Sequence, residues 1–138
     1  MFKFLKRKKK VAFGLHLMID GYDAPKANLE SESILRKMLN EIPQEMGMHL
    51  ISEPVVVRVG PNNKKDPGGV SGVVLIAESH FSVHTFPNRG FVTLDIYTCQ
   101  NVLNTEELIS KVKSHLKFAR CEHYLIERGV RYPSVNTQ

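Results

Sequence analysis

A two-layer α+β sandwich, with two main helices on one face of a mainly antiparallel sheet, is the fold class this sequence predicts, and three features predict it. Two stretches, residues 28–43 and 104–119, repeat apolar side chains at helical spacing. Most of the remainder falls into short β-branched or alternating runs, and in the middle of the chain these runs follow one another directly instead of alternating with helices. No internal repeat or low-complexity linker divides the 138 residues, so one domain over residues 11–138 is expected. Two helices cover only one side of such a sheet, and a partner is expected on the other.

Residues 11–20 alternate loosely between apolar and polar and read as a first strand, with Gly21, Tyr22, Asp23, Ala24 and Pro25 as its exit turn. Ile34, Leu35, Met38, Leu39 and Ile42 then recur at helical spacing, with Asn28 or Ser31 available as cap and Pro43 near the end. Residues 48–60 carry Val55, Val56, Val57 and Val59 after Pro54, which suggests an edge or bent strand. The Pro-Asn-Asn-Lys-Lys-Asp-Pro-Gly-Gly of residues 61–69 is loop chemistry. Residues 70–78 and 79–86 read as two strands with no turn signal between them, and residues 91–98 as another after the Pro87-Asn88-Arg89-Gly90 turn. Asn104 and Glu107 have capping-box spacing ahead of the stripe Leu108, Ile109, Val112, Leu116 and Ala119, with Lys117 and Arg120 placed in the last turn. Residues 123–127 form a final short strand, and the tail beyond Gly129 reads as loose.

Charge excludes less than it first suggests. Of 19 basic residues, Lys3, Lys6, Arg7, Lys8, Lys9 and Lys10 lie in the first ten positions, leaving 13 against 14 acidic residues in the body. The body is near neutral, no nucleic-acid partner is expected, and residues 1–10 read as a basic flexible tail. No apolar run has the length of a signal peptide or a membrane span, so no membrane partner is expected either. Two cysteines make no disulfide framework, and free thiols in a cytoplasmic protein are the expectation, with Cys121 in the core.

The chemistry-bearing stretch is residues 68–99, which sets Ser71, Ser79, His84 and Cys99 on or beside adjacent strands. Alternation sends Ser79 to one face and His80, Ser82 and His84 to the other, so pattern alone does not bring them into one pocket. Taken by themselves, Glu-Ser-His in a strand reads as a surface patch and a cysteine at a strand end as a small buried hydrophobe. A metal site of His80, His84 and Cys99 is not expected, because i, i+4 histidines converge on a helix and diverge on a strand.

Together the motifs carry a resemblance. Glu78-Ser79-His80, then His84-Thr85-Phe86-Pro87, then Asp95-Ile96-Tyr97-Thr98-Cys99 closely resemble the processing region of the prokaryotic S-adenosylmethionine decarboxylase proenzymes. The match extends to Gly14-Leu15-His16-Leu17, to Ser71 and to Glu127-Arg128-Gly129. The resemblance implies a self-cleaving enzyme of polyamine biosynthesis, cut between Glu78 and Ser79, with Ser79 becoming a covalent pyruvoyl cofactor. It makes His84 the processing base, Ser71 its hydrogen-bonding assistant and Cys99 the proton donor in decarboxylation. It also implies an amino-acid-type substrate, no metal, and a homodimer of two-chain protomers with active sites at or near the interface.

The match is incomplete at two points. The family has Pro-Glu where this chain has Pro87-Asn88, and that glutamate holds the ribose of S-adenosylmethionine. An amide offers one neutral acceptor oxygen, a weaker ligand for a diol, so Asn88 is the expected substrate-side residue and keeps L-arginine or L-ornithine open as alternative substrates. Tyr22-Asp23-Ala24 likewise replaces the family's Tyr-Gly-Cys. A reading from another class, an uncleaved regulatory subunit, sits poorly with the joint presence of Ser71, Ser79, His84 and Cys99.

Overall fold

Alternating strand residues and two amphipathic helical stretches resolve into one sheet with a helical layer. The computed structural model describes residues 12–65 and 67–133. The order is β1 (Gly14–Tyr22), α1 (Lys26–Glu30), α2 (Glu32–Glu45), β2 (Val55–Val59), β3 (Gly69–Ile76), β4 (Ser79–Phe86), a 3₁₀ turn (Pro87–Arg89), β5 (Phe91–Thr98), α3 (Thr105–Leu116) and β6 (Arg120–Arg128). The six strands lie in the order β2-β3-β4-β5-β1-β6, every neighbouring pair antiparallel. The predicted α+β class therefore holds. The basic tail of residues 1–10 lies outside the described residues.

Register follows from which face is buried. Leu17, Ile19, Val70, Val74, Phe81, Val83, Val92 and Ile96 point under the helices and are buried with Leu35, Met38, Leu39 and Ile42 of α2 and Leu108, Val112 and Leu116 of α3. A one-residue slip of any strand would turn this set to the other side. Gly72 lets α2 settle closely, since a Cβ there would stand 2.7 Å from Leu39 Cδ1. The opposite, open face is polar at its centre and apolar toward both edges, where Val55, Val57, Leu75, Tyr124 and Ile126 are each about half exposed.

Several boundaries differ from expectation. The first strand runs through Gly21 and Tyr22, because both pair with β6 and β5 holds Gly21 from the other side. The first helical stretch is broken at Ser31, whose extended backbone separates α1 from α2 and whose hydroxyl accepts from the Ile34 amide as the cap of α2. Pro43 is accommodated inside α2, near its end. The last helix stops at Leu116, with Lys117 in a left-handed C-cap, and Arg120 begins β6. The expected last turn of that helix is therefore a turn into a nine-residue strand. Strand β2 keeps only the valine run.

Candidate active site

Strands β3 and β4 are joined by a two-residue turn, Ala77 and Glu78, between the paired residues Ile76 and Ser79. Ser79 is the first residue of β4, and its hydroxyl accepts a hydrogen bond from the Cys99 amide at 3.1 Å. Cys99 follows the end of β5 and is exposed, its thiol donating a long contact of 3.9 Å to the Ala77 carbonyl. The predicted cleavage residue and the predicted proton donor therefore share one end of the sheet. Cys99 is not the buried hydrophobe that a strand-end cysteine suggests on its own, whereas Cys121 is half-buried and packs on the core.

Ser71 and His84 occupy a second place. They are directly paired across β3 and β4, and Ser71 Oγ lies 2.8 Å from His84 Nδ1. Either group can donate in this bond, and the tautomer in which Nδ1–H donates to Ser71 would leave the Nε2 lone pair available to a proton. Ser79 and His84 stand five residues apart on β4, about 17 Å at the rise of an extended strand. They also differ in side: Ser79 pairs with the buried Ile76, while His84 is exposed on the open face. The four residues thus form two pairs rather than one constellation within a chain.

Asn88 lies in the 3₁₀ turn after β4, exposed, beside a depression of 280 Å³ that Arg58, Glu30, Gly68 and Pro87 also line. It is near neither Ser79 nor Cys99 in the fold. Its neighbour Arg58 is already engaged, donating to the Glu30 carbonyl at 3.1 Å and facing Glu32 at 3.6 Å.

A third cluster escaped the sequence reading. Asp95 on β5 receives His16 Nε2 of β1 at 2.6 Å and His80 Nε2 of β4 at 3.1 Å on one oxygen, and the Ser82 hydroxyl on the other. Tyr97 packs beside both imidazoles, and the Arg128 guanidinium sits 4.5 Å above the Tyr97 ring. His16 and Asp95 both stand in the motifs, but only the register of β1 against β5 shows that they meet. Burial pushes the Asp95 carboxyl up, and the bonds from Ser82, His16 and His80 outweigh it, holding the group below the usual carboxylate range. The donor atoms of His16, His80 and Asp95 lie within 4.8 Å of one another, a set able to bind a divalent transition metal. Their contacts are already those of a closed hydrogen-bond network that clamps β1, β4 and β5 together. The same cluster opens onto a depression of 380 Å³ that includes Met18, Asp20, His84 and Tyr124.

Asp95→Asn should destabilise the fold by about 2 kcal/mol, the loss of charge-assisted bonds to a half-buried acceptor. A carboxyl whose folded pKa is depressed contributes stability above its unfolded value, near pH 4, and loses it as pH falls through the lower folded value. Thermal melts of the two proteins should therefore differ by several degrees at pH 7 and converge in acid. Equal melting at pH 7 would show that the network contributes nothing.

Comparison with known proteins bears on the chain as a whole. Residues 15–129 match the family model described as S-adenosylmethionine decarboxylase. The S-adenosylmethionine decarboxylase proenzyme of Methanococcus aeolicus is 35% identical over 116 residues, 84% of this chain and 93% of that protein. The proenzyme of the same name from Archaeoglobus fulgidus is 32% identical over 117 residues, 84% and 97% of the two chains. The crystal structure of the adenosylmethionine decarboxylase from Aquifex aeolicus superposes with a TM-score of 0.72 at 27% identity, covering 86% of this chain and 92% of that one.

Proposed function

Because this chain belongs to the S-adenosylmethionine decarboxylase family, we propose that it is a proenzyme that cuts itself between Glu78 and Ser79 and then decarboxylates S-adenosylmethionine. The observation that carries this reading is the placement of Ser79: its hydroxyl is held by the Cys99 amide at 3.1 Å, directly after the turn that contains the scissile bond. A serine hydroxyl is a weak nucleophile and needs orientation and a base to attack a planar amide. Here the nucleophile is already tethered.

The Ser79 oxygen attacks the Glu78 carbonyl carbon, the carbon–nitrogen bond breaks, and the hydroxyl proton passes to the nitrogen, leaving an ester. Removal of the Ser79 α-proton then expels the Glu78 carboxylate and leaves dehydroalanine. Water replaces the nitrogen, which departs as ammonia, so that residue 79 ends as a pyruvoyl group. That group supplies the ketone which takes up the substrate amine and the electron sink for loss of carbon dioxide. The Cys99 thiol, exposed at the same rim beside Ala77, would return a proton to the substrate.

His84 and Ser71 serve these steps from a second copy. Within one chain they stand on the open face, far along β4 from Ser79. A two-fold axis through that face would carry the Ser71–His84 pair of one protomer to the Ser79–Cys99 end of the other, twice by symmetry. The half-exposed Val55, Val57, Leu75, Tyr124 and Ile126 give that face the apolar rim such an interface needs. We infer a homodimer with shared sites.

The relatives' names speak for S-adenosylmethionine, and the arginine and ornithine alternative raised by Asn88 finds no support in them. The purified protein should appear by intact mass as chains of 78 and 60 residues, one ending at Glu78 and one beginning at the converted Ser79. Carbon dioxide release from S-adenosylmethionine should exceed that from L-arginine and L-ornithine, and a preference for either free amino acid would overturn the substrate.

A further inference from the structure

We propose that Glu78 carries backbone strain that speeds the self-cleavage, an inference that rests on the cleavage reading above. Among the described residues only three other than glycine have positive φ: Asp23, Lys117 and Glu78, the last at 62°. Asp tolerates this region through local hydrogen bonding, and Lys117 terminates a helix, where left-handed residues are common. Glu78 has neither explanation. It fills the second central position of a two-residue turn whose first residue, Ala77, is not left-handed, a slot that such turns assign to Gly or Asn.

The conformation is imposed from both sides. The Ala77 amide donates to the His49 carbonyl at 2.8 Å, and the neighbouring Leu50 bridges to Ile76. On the other side the Ser79 hydroxyl is held by the Cys99 amide, and the β4–β5 ladder begins at His80. Glu78 lies between two anchors and absorbs the mismatch. Its own side chain is exposed and makes no hydrogen bond or ion pair with the described residues, so the side chain does not hold the backbone there. Strained residues persist where their surroundings over-determine them.

The strain also sits at the reacting bond. A left-handed residue crowds its Cβ against its own carbonyl oxygen, and the Glu78 carbonyl is the group that Ser79 attacks. Attack turns that carbon tetrahedral and swings the oxygen out of the crowded plane. When the acyl group moves from nitrogen to Oγ, the link from the Glu78 carbonyl carbon to Ser79 Cα passes through two atoms, Oγ and Cβ, instead of one. The turn gains a bond of slack, and Glu78 is free to leave the left-handed region. Ground-state strain relieved on the way to the ester lowers the barrier.

Three variants test this, with conversion to the two fragments followed by intact mass in freshly refolded precursor. Glu78→Ala keeps the strain, since alanine has the same Cβ, and should process at least about fivefold faster than Glu78→Gly. Glu78→Gly removes the strain and should process about tenfold more slowly, the equivalent of about 1.4 kcal/mol in the barrier. In an uncleavable Ser79→Ala background, Glu78→Gly should melt no lower than Glu78 itself. Glu78→Gly processing as fast as wild type, or Glu78→Ala slowed as much as Glu78→Gly, would overturn the strain. So would a lower melting temperature, which would trace slow cleavage to a loosened turn. Wild type that never cleaves would remove the cleavage reading and the strain proposal with it.

Discussion

Ser79→Ala is expected to leave a single 15.7 kDa chain that never divides and never releases carbon dioxide from S-adenosylmethionine. The substitution deletes one oxygen, and that oxygen is asked to do two things. In the proposed mechanism it is the nucleophile that opens the Glu78 carbonyl and residue 79 is the source of the ketone, so cleavage and decarboxylation should fall together to background. The fold should be indifferent. The hydroxyl accepts one hydrogen bond, from the Cys99 amide at 3.1 Å, at a half-exposed strand end where water can take its place. A bond of that kind contributes about 1 kcal/mol at most, so the melting temperature should shift by only a few degrees. Mass spectrometry, a carbonyl-reactive probe and a thermal melt on one preparation distinguish lost chemistry from lost structure. Fragments of 78 and 60 residues from the variant would mean that the scissile bond lies elsewhere or is cut by another agent.

How much of this was legible in the sequence depends on whether local periodicity or long-range pairing carried the information. The stripes of α2 and α3 and the alternation of β1, β4 and β5 are local, and they fixed the class and most of the core. The turn at Ala77 and Glu78 left no trace, because neither residue is a turn former. The tertiary anchors on both sides override propensity there, next to the bond proposed to react. Ser71, Ser79, His84 and Cys99 were legible as motif residues, but their division into two pairs was not, since that depends on β3 pairing with β4 in the register that sets Ser71 opposite His84. The Asp95 cluster was hidden for a similar reason: His16 lies 79 positions from Asp95 and reaches it only because β1 returns beside β5. Asn88 was legible as a departure from pattern, and its place beside Arg58 and Glu30 comes from the 3₁₀ turn that follows β4.

The division into two pairs leads to the second large effect. His84→Ala alone should stall cleavage, because the base proposed to serve each Ser79 would be missing from both protomers. Ser79→Ala alone should also stall, for want of the nucleophile. Mixed in a refolded heterodimer, the two inactive chains should restore one site. The His84→Ala protomer brings Ser79 and Cys99, the Ser79→Ala protomer brings Ser71 and His84, and the proposed two-fold axis would set these halves together. The opposite site receives both defects and stays silent. Fragments should therefore appear only from the His84→Ala chain, and a mass tag on one chain identifies their parent. If half the dimers form as mixed pairs, about half of the His84→Ala chain should convert, against almost none in either pure preparation. The estimate follows from symmetry alone, with one competent site per mixed dimer. A strand can be bent, but about 17 Å along β4 separates Ser79 from His84 in a single chain. Without such a rearrangement the base of one protomer has no route to its own serine. Conversion that stayed at background in the mixture, with dimers verified by their mass, would return the base to the same chain as its target and require β4 to refold during processing.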